Sequence, residues 1–209
     1  MSKYFKLSNL PSGQSWESNP IFGKARGSQP HAPLQSLFDE PVLFYLEERV
    51  INHLLDSFTL NKYIHQNIKD FNDFSFFTAP AYKALEGFLF QIAKDLNLPS
   101  SGNSNLAGSY YFDEGKIDKH IDSLIKEIEK TTEDSKKLSS YEKRDIKDRI
   151  REMKGFLRNY RNTPSHFYGE SIDTIEKADR NVKIIYGTID NTTKLLLRAG
   201  LLSINAELH

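Results

Sequence analysis

Cysteine is absent from the 209 residues. That excludes disulfide scaffolds, thiolate zinc sites, iron–sulfur clusters and cysteine nucleophiles together, and leaves His, carboxylates, Ser/Thr/Tyr, Lys and Arg to carry any catalysis. Long apolar runs are missing too. No stretch approaches ~18 uncharged apolar residues, and the opening MSKYFKLSNLPSGQSW lacks the continuous apolar block of a secretion signal. The expectation is a soluble, cytoplasmic chain without a membrane span. Neither G-x-x-x-x-G-K-[ST] nor G-x-G-x-x-G occurs, which removes ATPase, kinase and dehydrogenase readings. H-E-x-x-H, an aspartate cluster and a histidine pair at i,i+4 are also wanting, so no metal centre and no cofactor is expected. Net charge cancels, 28 basic residues against 28 acidic ones. Only a local concentration of one sign can therefore speak for a polyanionic partner.

With 38% hydrophobic and 12% aromatic residues the chain can bury the core of one domain. Residues 1–36 are punctuated by Pro11, Gly13, Pro20, Gly23, Gly27, Pro30 and Pro33. This reads as an irregular N-terminal arm that packs through Trp16 and Phe22 or stays mobile. From residue 37 to 209 the texture is helical. Leu43, Leu46, Val50, Leu54 and Leu55 step by three and four and predict a helix over 39–57. A second is predicted to follow Pro80, with Ala81, Leu85, Phe88, Leu89, Ile92 and Leu96 on its apolar face until Pro99 stops it. Residues 99–116 are turn-rich, and Tyr110, Tyr111 and Phe112 within them are loop anchors or stacking surfaces for unpaired bases. Further stripes run from Ile117 to Ile128, from Ile146 to Tyr160, and from about Ser171 or Asp173 to Leu196. The connections at 131–140 and 161–171 are short, which favours antiparallel neighbours. The predicted fold is an all-α antiparallel bundle of about five helices. The apolar run Leu195–Leu202 is core, a dimer seam or a partner contact.

Between Lys136 and Arg161 stand ten basic residues and four acidic ones. Such a segment attracts polyanions and releases their counterions on contact. The alternative is a solvated face laced with i,i+4 pairs such as Asp145–Arg149. The segment then runs into Arg158-Asn159-Tyr160-Arg161-Asn162-Thr163-Pro164-Ser165-His166. Thr163-Pro164 resembles an N-cap followed by proline at the first helical position, which would set His166 in a first helical turn. There the helix dipole opposes protonation and keeps a neutral imidazole available. Arg161 would aim its five-donor fork at the same space. A guanidinium and an imidazole sharing one hollow suit a phosphodiester, one binding non-bridging oxygens and the other moving a proton. The alternative for these residues is that Arg161 caps the preceding helix while His166 and Phe167 fill the turn.

Arg161-Asn162-x-x-x-His166 between the last two helices of an α-bundle resembles the R-N-x-x-x-H signature of the HEPN superfamily. Tyr82-Lys83-Ala84-Leu85-Glu86-Gly87-Phe88-Leu89 resembles the corresponding helix in the toxin domain of RNase LS and its relatives. The resemblance covers roughly residues 38–205. It implies a metal-independent endoribonuclease toxin of a toxin–antitoxin or anti-phage system, a homodimer with two motifs facing one cleft, a cognate antitoxin, and RNA as substrate. Arg161, His166, Glu86 and Lys83 would be catalytic; Arg158, Asn162, Lys154 and Arg151 would bind RNA. Lysine stands at 83 where arginine is expected from the family, and about 36 irregular residues precede the bundle where RNase LS toxins carry additional amino-terminal domains. A tyrosine near the motif, Tyr160 or Tyr168, is a candidate for modification by a partner. The competing reading is a non-catalytic helical adaptor that binds RNA or protein.

Lys83 and Glu86 lie at i,i+3 on the polar side of their helix. Gly87 beside them leaves room for a backbone or ligand to approach closely. The alternative for the pair is an exposed salt bridge.

Overall fold

The stripe Leu43, Leu46, Val50, Leu54 and Leu55 belongs to two helices rather than one in the computed structural model, which describes residues 32–67, 71–99, 114–130, 137–156 and 172–204; side chains 65–67, 114, 154 and 156 fall outside that description. Helix α1 spans Glu40–Tyr45, with Pro41 in its first turn, and α2 spans Glu48–Asn67. Leu46 is extended between them. A helix break frees a backbone donor and an acceptor, and both must find partners if they are to be buried. Gln91 supplies them: the Glu47 amide donates to Gln91 Oε1 at 3.0 Å, and Gln91 Nε2 donates to the Tyr45 carbonyl at 2.7 Å. The Tyr45 hydroxyl in turn donates to Asp95 Oδ2 at 2.8 Å. Burial, reinforced by this carboxylate, holds that phenol protonated far above its ordinary range.

Helix α2 continues past residue 57, because Ile64 is buried and Phe58 and Leu60 pack against the core. Ser57 on its inner face accepts a hydrogen bond from Tyr186 at 2.8 Å, and burial pushes that hydroxyl up to about 12.

Helix α3 spans Ser75–Asp95 and contains Pro80, the residue expected to precede it. Proline in a helix removes one hydrogen bond and costs about 3 kcal/mol. Burial of Phe77 offsets roughly 1.5–3 kcal/mol of that, and Thr78 beside it is buried too. Asp73 starts the helix, its Oδ1 accepting from the Ser75 amide at 2.8 Å and the Ser75 hydroxyl at 2.6 Å. Asn97, in the left-handed region at φ 46, closes it ahead of Pro99, with the Leu98 amide donating to the Ala93 carbonyl at 2.9 Å.

Helices α4 (Glu114–Glu129), α5 (Ser140–Phe156) and α6 (Ile175–Arg198) complete the set among the described residues. The architecture is an all-α bundle. Helix α3 packs against α2, α5 and α6, while α6 also meets α1 and α5, and α4 meets α5. Ile117, Ile121 and Ile125 of α4, Ile146, Ile150 and Met153 of α5, and Ala178, Val182, Ile185 and Ile189 of α6 are all buried. Leu195, Leu196 and Leu202 join them, so the apolar run closing α6 is core among the described residues. Gly200, at φ +69, ends α6 in the left-handed conformation that glycine adopts without strain.

Two units divide the chain, Met1–Ala32 and Pro33–His209. The helical unit thus begins before residue 37: Leu34 is fully buried in the core, and its carbonyl accepts from the Leu37 and Phe38 amides at 2.9 Å each. None of the described helices is long and apolar enough to cross a membrane.

Serine at 139 and glutamate at 142 form a reciprocal cap on α5. The Glu142 amide donates to Ser139 Oγ at 3.2 Å, while the Ser139 amide and hydroxyl donate to Glu142 Oε2 at 2.9 and 2.8 Å. These bonds, the backbone one foremost, hold the Glu142 carboxyl below its ordinary 4.5. Ser139→Ala is expected to cost about 1 kcal/mol in urea unfolding. Because the folded-state value is the lower one, the carboxylate's contribution is fully present above 4.5 and is lost as pH falls through the lowered value. The stability gap between the parent chain and Glu142→Gln should therefore narrow on acidification; a gap that widens would contradict the cap.

Candidate functional site

On α3, Lys83, Glu86, Gly87 and Phe90 fall on one face, at i, i+3, i+4 and i+7. Arg49, Val50 and His53 fall on one face of α2. The two faces meet at Gly87, where an added Cβ would stand 3.1 Å from Val50 Cγ2. The missing side chain is what admits α2 this closely. A cleft of about 470 Å³ flanks the contact, lined by Glu47 just before α2, Arg49 and His53 from α2, and Lys83, Glu86 and the ring of Phe90 from α3. That size lies within the range of small-molecule sites.

The cleft therefore brings a guanidinium, a lysine amine, one imidazole and two carboxylates together. Lys83 is exposed and Glu86 half-buried. His53 is 25% exposed, with Nδ1 3.8 Å from Asp56 Oδ2 one turn on. Glu47 lies 3.7 Å from Lys94 Nζ. Such a set can hold a phosphate through Arg49 and Lys83, pass protons through an imidazole, and offer the half-exposed Phe90 ring to a flat apolar group. Among the described residues no group of three or more His, Asp or Glu is placed to hold a metal ion.

Lys83 and Glu86, picked out together from the sequence, share this cleft. Arg151 does not. It joins an ion-pair ladder along the α4–α5 seam, in which Lys143 meets Glu129 at 2.9 Å, Lys147 meets Asp122 at 2.7 Å, and Arg151 meets Asp118 and, at 2.8 Å, Asp148. The numbers rise on one helix as they fall on the other, so these helices are antiparallel. Arg149 is held within α5 by Asp145 at 3.5 Å and Glu152 at 3.8 Å. The basic excess of α5 is thus largely engaged on its own acidic neighbours, and the i,i+4 pairing weighed from the sequence is present. The side chain of Lys154 lies outside the described residues, as do Arg158, Arg161, Asn162 and His166, together with Tyr110, Tyr111, Phe112, Tyr160 and Tyr168.

Arg49, His53 and Phe90 were not singled out as site residues by sequence reasoning. The signal available was the i,i+4 placement of Arg49 and His53 on the helix preceding the Lys83–Glu86 helix, but which face of α2 would meet Gly87 is a tertiary fact. No protein-family model, curated protein or solved structure matches the chain.

Proposed function

We propose that the protein is a metal-independent endoribonuclease toxin of the HEPN kind. The observation that carries this reading is the shared cleft, in which Lys83 and Glu86, assigned from the sequence, stand with Arg49 and His53. In the proposed reaction a ribose 2′-hydroxyl attacks the adjacent phosphorus. The 2′-O–P bond forms, the P–O5′ bond breaks, the hydroxyl proton passes to a general base, and the 5′-oxygen collects a proton from a general acid. His166 serves as base or acid, Arg161 and Lys83 stabilise the charge gathering on the phosphorane oxygens, and Glu86 orients the imidazole. The active form in this reading is a homodimer acting in the cytoplasm, restrained by a cognate antitoxin that covers the cleft or blocks pairing.

Purified protein incubated with single-stranded RNA in EDTA is expected to yield 2′,3′-cyclic phosphate and 5′-hydroxyl ends. DNA of the same sequence should stay intact, because it lacks the nucleophile. Intact RNA under these conditions, with salt-sensitive binding retained, would replace the nuclease by the helical adaptor. The α4–α5 ladder favours the protein-binding form of that adaptor, since it occupies basic side chains that a dedicated RNA face would leave exposed.

A further inference from the structure

The α2–α3 cleft carries more than the pair drawn from the sequence, and its unassigned members divide by chemistry. Arg49 and Lys83 are basic side chains approaching from different helices. His53 joins them, with its Nδ1 3.8 Å from the Asp56 carboxylate one turn on. Phe90 lies one turn beyond Glu86, lines the same cleft and keeps 51% of its surface exposed. A large aromatic ring left half in water beside Arg49 and Lys83, with Glu47 and Glu86 lining the same cleft, matches the two halves of a nucleotide: an anion held by charge-assisted donors and a planar base held by its π-face. The cleft volume of about 470 Å³ accommodates a unit of that size.

We infer that this cleft is a nucleotide subsite, in which Arg49, His53 and Lys83 take the phosphate and the half-exposed Phe90 ring takes the adjoining base. The inference rests on the proposed nuclease only for the identity of the polymer; the subsite itself is assigned from the cleft. It adds to that reading a base-stacking residue and a second cationic edge, both supplied by residues outside the Arg–His motif. Base stacking tolerates any sequence, since every base offers a π-face. Cleavage positions should therefore depend on whether a base is unpaired more than on which base it is.

The test uses the full chain and three probes: adenosine 3′-monophosphate, inorganic phosphate and adenosine, each titrated by calorimetry. The monophosphate should bind at least about tenfold more tightly than phosphate, the stacking increment of a single base. Phe90→Ala should erase that difference without changing phosphate binding, whereas Arg49→Ala should weaken the monophosphate and phosphate about equally. Phe90→Leu serves as a second, shape-conserving variant and should lose stacking with the fold retained by circular dichroism. Equal affinities for monophosphate and phosphate in the parent chain, or a silent Phe90→Ala, would overturn the base platform, and no binding of either anion would overturn the subsite. RNA cleavage measured on the same proteins separates this inference from the nuclease reading. Nucleotide binding as described without cleavage removes the nuclease alone. Cleavage whose KM is unmoved by Phe90→Ala removes the subsite alone.

Discussion

His166→Ala and Arg161→Ala are each expected to lower RNA cleavage by about 10²- to 10⁴-fold, the range carried by a positioned proton-transfer group or a charge-stabilising donor. The two losses should not add, because groups acting on one transition state fail together. Glu86→Gln keeps shape and removes charge, so it tests whether the carboxylate acts on the imidazole rather than on helix α3 itself. A fall in kcat with little change in KM, together with a shifted pH profile, is the expected signature of a group that orients and polarises a base. Lys83→Ala should cost less, about 10- to 100-fold, and Lys83→Arg should restore most of it, since a guanidinium meets the same phosphate oxygens. The helical circular-dichroism signal is the control in each case. Cleavage that survives both His166→Ala and Arg161→Ala would remove the mechanism; an unaffected Glu86→Gln would remove only that residue's role.

The spacing of apolar residues was sufficient for the fold class, and it placed α4 and the closing helix within a few residues. This is the part of a fold that amphipathic periodicity dictates directly. What it could not show were features decided by distant partners. The break at Leu46 survives because Gln91, far along the chain, takes the freed amide and carbonyl. The start of α3 ahead of Pro80 depends on burying Phe77 and on the hydrogen bonds that Asp73 accepts from Ser75. The concentration of lysine and arginine after residue 136 and its pairs within α5 were visible, but Glu129, Asp122 and Asp118 are on α4, and pairing with them depends on the antiparallel register of the two helices. The candidate site was half legible for the same reason. Lys83 and Glu86 are neighbours on one helix, whereas Arg49 and His53 reach them only because Gly87 lets Val50 in.

Two phenylalanines on α3, separated by a single residue, should answer oppositely to truncation. Phe88 has no exposed surface and sits in the core of a helix that packs against α2, α5 and α6. Phe88→Ala removes the apolar transfer energy of the ring and leaves a cavity that rigid neighbouring helices fill only in part, for a cost of about 3–5 kcal/mol. Against a typical domain stability of about 5–15 kcal/mol, that is a loss visible as a large drop in the urea midpoint. Phe88→Leu keeps most of the volume and should recover the greater part of it. Phe90→Ala, on the exposed side of the same turn, should move the midpoint by no more than about 0.5 kcal/mol. The contrast tests the orientation of α3 as a whole, because a rotation of the helix by one residue position, about 100°, would take Phe88 out of the core and change which face lines the cleft. Equal costs for the two substitutions would mean that the Lys83–Glu86 face is not the one turned to solvent, and the cleft would lose its wall.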